Sequence, residues 1–363
     1  MPETILQKKG LPVNAVITEP EMLPERWAVG ASGIEYYAVN PTANWNNDLS
    51  TDERQNNGLE TYTCTNFWGL NSLEIQLIYK MKNGLLTQKA VDFLSGNNVA
   101  GISYLDENGK PNFSEKWAAI LTGTIYGVGN YVYKTPELAR TLGLIPEAML
   151  PFGNPKTWEE FIDKKQLTQS MYDLGEEFKN IFLVEYENIP TAGKTTAQIR
   201  DEMNYHRRQA PLSVSIPICS GYATSDIVKA CTKTPTHCVG ETGFFNTYKT
   251  IYDSYSPFLK KLAPEYLMPS ILKSVITEKG LFTPVQIAEA KRFALSTSKS
   301  HNNEVYLSRV EAHGEAYFID NQGGITYKHQ YPGQLMNHML AETHKIIPIS
   351  EKDWNTLKPA EIK

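Results

Sequence analysis

From Phe67 to Met81 the apolar residues Phe67, Leu70, Leu73, Leu77, Ile78 and Met81 recur every three or four positions, the period that lays a stripe along one face of a helix. Cys64 stands at the N-terminal edge of that pattern. Shorter helices are predicted at 114–122, 135–142, 157–164 and 196–208, each opened by Ser, Thr or a similar capping residue. Alternation of apolar and polar positions begins later: 212–218 and 248–252 read as strands, and 305–319 as a hairpin. Two more helices are expected at 285–295 and 333–344. Residues 1–60 are proline-bearing with few periodic runs, and 40–58 is rich in Asn, Asp, Thr and Ser, which reads as extended chain wrapping a surface.

Helices first and sheet afterwards make an α+β arrangement, with a helical half carrying Cys64 and a β-rich half carrying His237. The organisation expected is an N-terminal extended segment (1–40), a core domain (41–260) and a small α/β C-terminal extension (261–363). A chain of 363 residues with 41% hydrophobic content can fill one main core with additions around it.

Charge and composition narrow the function classes. The formal net charge is -5, and the densest basic cluster, His206-Arg207-Arg208, is too short to track a phosphate backbone, so no nucleic-acid partner is expected. No run approaches the roughly 18 apolar residues of a membrane span. The first twenty residues are polar and contain Pro2, Lys8, Lys9 and Pro12, unlike a secretory signal. No membrane association is expected, and a cytoplasmic location fits. The cysteines are Cys64, Cys219, Cys231 and Cys238, a poor disulfide framework that suits a thiol-preserving compartment, with a Cys219–Cys231 or Cys231–Cys238 bridge left open.

Nucleophilic cysteine chemistry needs a thiolate, and a helix N-terminus or an adjacent imidazolium supplies one near neutral pH. Cys64 has the first by position. His237, in Thr-His-Cys-Val-Gly, is the candidate base, and Asp253, just past the strand 248–252, can fix its tautomer. Pairing of 237–240 with 248–252 across the turn 241–247 sets both at neighbouring strand ends. Taken singly, a cysteine before an apolar helix is most often a small packing residue, and Asp253 alone a strand-end turn residue; the combination carries the functional reading. A zinc site built from Cys219, Cys231, His237 and Cys238 is disfavoured, because adjacent His and Cys rarely face one metal and no C-x-x-C spacing occurs. Gly123, Gly127 and Gly129 match no phosphate loop. No metal and no cofactor are expected.

These residues resemble the papain family of cysteine peptidases. Cys64-Thr65-Asn66-Phe67-Trp68 is similar to the family's Cys-Trp-Ala-Phe-Ser, and Glu74 stands at its glutamate position ten after the cysteine. His237 precedes Asp253-Ser254-Tyr255 by sixteen positions, the family's spacing from histidine to Asn-Ser-Trp. Phe113-Ser114-Glu115, Gly129-Asn130 and Gly143-Leu144-Ile145-Pro146-Glu147 resemble its Leu-Ser-Glu helix, glycine loop and Tyr-Gly-Ile segment. The resemblance runs from about Trp45 to Tyr255.

It implies a papain-like two-part fold and an amide-bond hydrolase acting through Cys64, His237 and Asp253, with the Cys64 backbone N–H and the Gln55 amide as oxyanion donors. The substrate implied is a protein, a peptide or a peptidoglycan peptide. The departures are specific: Asp253 replaces the family's asparagine, Tyr255 its tryptophan, and Gln55 stands nine rather than six positions before the cysteine. With no papain prosegment, the chain resembles papain-fold proteins of tailed phages and bacteria, which implies virion or assembly partners. A silent scaffold and a Cys-His-Asp acyltransferase are the competing readings.

Overall fold

The computed structural model describes residues 39–279 apart from 192, 232, 246, 267 and 269, together with strands at 306–310, 315–322, 325–330 and 358–359. The first helix among the described residues, α1 (Cys64–Lys82), is buried along nearly its whole length. A helix enclosed on all sides must satisfy its polar side chains internally. Gln76 does so by donating Nε2 to the Ser274 carbonyl at 2.9 Å and accepting from the Ile276 N–H at 3.2 Å. Asn66 reaches the Thr122 and Thr135 hydroxyls, both at 3.1 Å.

Around α1 stand α2 (Gln88–Leu94), α3 (Glu115–Thr122), α4 (Lys134–Thr141), the single turn α5 (Trp158–Phe161) and α6 (Gln169–Ile181). Leu70, Leu73 and Leu77 of α1 share a core with Phe93, Trp117, Leu138, Leu174 and Phe178. Ser114 caps α3 by accepting from the Trp117 N–H at 3.1 Å, and Gly123, at φ 69°, ends it in the left-handed conformation that glycine adopts freely.

The β-rich half begins with β1 (Phe182–Ile189) and α7 (Thr196–Arg207), and continues through β2 (Leu212–Ile216), β3 (Ile227–Val228), β4 (His237–Phe245), β5 (Tyr248–Tyr252), β6 (Leu259–Leu262) and β7 (Ser270–Glu278). These strands form one sheet in the order β1-β7-β2-β4-β5-β6-β3, antiparallel except where β3 pairs with β6. Leu212, Val214, Ile216, Val239, Ile251 and Ile271 build its core. Helix α1 lies against β4, and Gly240 is what lets it approach: a Cβ there would sit 1.8 Å from Cη2 of Trp68.

The α+β architecture expected from the sequence is the one observed. Several local expectations are corrected. The helix expected at 157–164 stops at Phe161 and gives way to a 3-10 turn at Lys164–Gln166, because Asp163 turns extended and caps it. Helices α2 and α6 and strands β1, β3, β6 and β7 have no counterpart among the elements expected, and β7 carries the sheet past residue 260. Residues 39–63 hold no helix or strand, yet they are not a mere surface wrap. Trp45 is fully buried, donating Nε1 to the Arg207 carbonyl at 2.7 Å, while Arg207 pairs with Glu241 of β4.

By contact pattern the described residues fall into two units, 39–278 and the strands between 306 and 359. The second contains β8 (Tyr306–Val310), β9 (Glu315–Gln322), β10 (Ile325–Gln330) and β11 (Lys358–Pro359), a four-stranded sheet ordered β11-β10-β9-β8. The predicted hairpin is β8 against β9, Tyr306 opposite Ile319. Residues 1–38 of the segment expected at 1–40, and the helices expected at 285–295 and 333–344, lie outside the described residues.

Candidate active site

Cys64 is the first residue of α1. The chain enters it through Tyr62, whose φ of 55° is left-handed, a conformation that costs a non-glycine residue on the order of 1 kcal/mol. Two contacts hold it there. The Tyr62 N–H donates to Oε1 of Glu60 at 3.1 Å, and the Tyr62 ring meets Tyr126 edge-on at 5.1 Å. The Cys64 sulfur accepts from the backbone N–H of Cys238. The helical half thus delivers the thiol to the strand position next to His237.

His237 opens β4 opposite Ile216, and Asp253 follows the last residue of β5, Tyr252, which pairs with Gly240. The adjoining strand ends bring the side chains together: His237 Nε2 lies 2.7 Å from Asp253 Oδ1, and both groups are buried. With Nε2 committed as donor to the carboxylate, Nδ1 is the nitrogen that can act as base. Tyr255 sets its ring against the imidazole at 5.5 Å, and Tyr222 stands perpendicular to it at 6.0 Å. Tyrosine therefore covers this pair on two sides.

The outer oxygen of Asp253 is held as firmly as the inner one. Oδ2 accepts from the Tyr222 hydroxyl at 2.7 Å and from Lys260 Nζ at 2.9 Å. Neither partner was read from the sequence. Lys260 turns inward on β6 beside the exposed Leu259, and Leu-Lys-Lys-Leu carries no alternation that would mark it. Tyr222 lies in a loop with no periodicity to mark it.

Gln55 is fully buried and reaches this neighbourhood through Ser254 and Tyr255, the two residues after Asp253. Its Nε2 donates to Glu60 Oε1 and to the Tyr255 hydroxyl, each at 2.7 Å, and its Oε1 accepts from Ser254 Oγ at 2.7 Å. Tyr255 in turn donates to Glu60 Oε2 at 2.5 Å. Both amide protons of Gln55 are thus spent on a ring of hydrogen bonds with Glu60 and Tyr255. An oxyanion role requires that ring to open.

The electrostatics correct one expectation. Position at a helix N-terminus was expected to favour a Cys64 thiolate, but burial pushes the thiol up to about 12. The Cys238 N–H pulls against burial, while the nearby Glu60 and Asp253 charges add to it. On balance these effects favour the neutral thiol over the thiolate. Cys238 is likewise driven upward, by burial and then by Cys64. Of the two bridges left open by the sequence, Cys219–Cys231 is the one formed, its Cα atoms 5.8 Å apart. Among the described residues no cluster could hold a metal ion, and no helix is long and apolar enough to cross a membrane.

Glu74 and Glu115 lie deep in the helical half. Glu74 accepts from the Phe113 N–H at 2.7 Å, and Glu115 meets the side chain of Glu53. Their role is structural.

No protein-family model matches the chain, and no curated protein matches it. Several solved structures are similar in fold. One is the proform of the Amb a 11 cysteine protease, a ragweed pollen allergen, at TM-score 0.45 and 15% identity, over 73% of this chain and 76% of that one. Another is bromelain from Ananas comosus, at TM-score 0.41 and 14% identity, over 64% and 97%. A third is digestive procathepsin L 3 of the Tenebrio molitor larval midgut, at TM-score 0.46 and 11% identity, over 74% and 77%.

Proposed function

We propose that the chain is a cysteine-dependent amide-bond hydrolase of papain type, with Cys64 as nucleophile, His237 as base and Asp253 as the group that orients it. The observation that carries this reading is the buried 2.7 Å pair of His237 Nε2 and Asp253 Oδ1, formed at the strand position whose next backbone N–H binds the Cys64 sulfur. Buried ionisable pairs cost free energy unless fully satisfied, and placing one beside a thiol at a helix start is what acyl-transfer chemistry needs.

In the mechanism, His237 Nδ1 takes the Cys64 proton as the sulfur attacks the acyl carbon. The resulting imidazolium gives that proton to the leaving amine, which departs and leaves a thioester on Cys64. Water, deprotonated by His237, then releases the carboxylic acid and restores the thiol. Asp253 holds the ring in the tautomer with Nε2–H throughout. The Cys64 backbone N–H and, once freed from Glu60 and Tyr255, the Gln55 amide would stabilise the tetrahedral oxyanion, each by about 3 kcal/mol. The substrate class proposed is a protein, a peptide or a peptidoglycan peptide.

A second reading, a catalytically silent scaffold of the same fold, draws support from the fully buried Cys64 and from the occupied Gln55 amide. Incubation with mixed fluorogenic peptides and with peptidoglycan fragments separates the two. Hydrolysis abolished by Cys64→Ser supports the enzyme. Transfer of the acyl group to added amines in preference to water indicates an acyltransferase, and no turnover under any condition leaves the scaffold.

A further inference from the structure

The residue facing Asp253 from behind is Lys260. Its Nζ lies 2.9 Å from Asp253 Oδ2 and 2.6 Å from the Tyr255 carbonyl, and it also donates to the Pro257 carbonyl. All three partners are acceptors. An ammonium has three donors and no acceptor, so this arrangement is the one a protonated lysine fills completely. The side chain is only 2% exposed, and its Nζ stands 5.1 Å from the centre of the Tyr222 ring. An ammonium so enclosed acts at low dielectric on the carboxylate it touches.

That charge bears on the base. A carboxylate bonded to His237 favours the imidazolium far more than a neutral amide would. An imidazolium held too firmly cannot give its proton to a leaving amine, nor accept one from a thiol. We propose that Lys260 is a positioning residue for the His237 and Asp253 pair: its ammonium cancels the carboxylate charge, so that His237 meets an acceptor with the geometry of a carboxylate and the net charge of an amide. The inference deepens the reading of this site as a cysteine hydrolase and rests on it. It also accounts for an aspartate at position 253: the pairing of Asp253 with Lys260 ties β5 to β6, which an amide would do more weakly.

The other titratable groups at the site do not replace this effect. Tyr222 and Tyr255 are held neutral by burial, with Asp253 acting on the first and Glu60 on the second. The Cys64 thiol is neutral at rest. Glu60 lies on the far side of Tyr255, bonded to its hydroxyl.

The test is an NMR titration of the His237 imidazole in the full-length protein, its resonance assigned by its loss in His237→Ala. In Lys260→Met the midpoint is expected to rise by about one pH unit or more, the size of one uncompensated neighbouring charge. In Asp253→Asn it should fall, because the ammonium then faces a neutral amide. The double variant Asp253→Asn with Lys260→Met is neutral again and should return to the wild-type midpoint, and Lys260→Arg should hold it. A purely structural lysine predicts no such reversal. A midpoint unmoved in Lys260→Met, or a double variant displaced as far as either single one, overturns the inference. If Lys260→Met does not fold, a midpoint in Asp253→Asn that fails to drop overturns it equally. Because the imidazole itself is read, the outcome is separate from turnover: an unreactive Cys64 with the charge effect intact sinks the hydrolase reading alone.

Discussion

Gln55 and Glu60 are joined amide to carboxylate at 2.7 Å, within the wall that carries the chain into Cys64. The carboxylate does two things there. It occupies a donor that acyl transfer would use, and its charge helps to hold the Cys64 thiol up. Glu60→Ala should therefore speed thiol alkylation of Cys64 at pH 8, by about tenfold if one charge-assisted hydrogen bond worth about 1.5 kcal/mol is what restrains the site. Stopped-flow or mass-resolved alkylation kinetics measure this directly. An unchanged or slower rate would show that the ring of Gln55, Glu60 and Tyr255 does not gate access.

The packing of Trp68 on Gly240 gives a sharper structural expectation. Any Cβ at position 240 meets three indole carbons within 2.1 Å, and α1 cannot retreat without moving Cys64. Gly240→Ala should cost about 3 kcal/mol in urea denaturation, at the upper end of overpacking effects. Trp68→Leu in the same chain should recover a large part of that loss.

The carboxyls of the helical half set a pH dependence. Burial, followed by repulsion from the Glu53 charge, raises Glu74 and Glu115 well above the usual 4.5, and burial takes Glu147 to about 8. The folded state therefore keeps protons that the unfolded chain has released. Stability is at its fullest below the unfolded value and declines as pH rises toward the folded ones. Urea midpoints should fall between pH 5 and pH 8, and Glu115→Gln should flatten that decline. At pH 8 this variant should exceed the wild type by about 1 kcal/mol, the worth of roughly one pKa unit. A steeper decline in the variant would contradict the assignment.

Tyr222, which anchors Asp253, lies within the loop closed by Cys219 and Cys231, twelve positions apart in sequence. Closing a loop of that size stabilises by about 3 kcal/mol in the chain-entropy account. Cys219→Ser with Cys231→Ser should lose about that much in denaturation and should also slow any reaction that depends on His237, since the tyrosine would hold Asp253 less firmly. Loss of stability with reactivity intact would separate the loop from the site.

Much of this was legible in the chain. The spacing from Phe67 to Met81 marked α1, and its start fell at Cys64. The alternation at 248–252 and the position of His237 placed the imidazole and Asp253 at neighbouring strand ends, where their 2.7 Å contact is found. The elements that the chain does not reveal share a physical cause. β7 is buried over most of its length and shows no clean alternation, and β1 follows α6 with no intervening residue. Lys260 and Tyr222 act through the tertiary fold, and nothing local distinguishes them from a surface lysine or a core tyrosine. The state of the thiol is not legible in the chain, because position on a helix is readable from sequence, whereas the burial that outweighs it is not.

The central claim is that Cys64 reacts as a nucleophile under the control of His237. Labelling the intact protein with a thiol-directed epoxide, followed by peptide mapping, tests it. The adduct should form on Cys64, and His237→Ala should slow it at least about a hundredfold, the usual reach of a general base. Labelling confined to Cys238, or a Cys64 adduct formed equally fast without the histidine, would contradict the account.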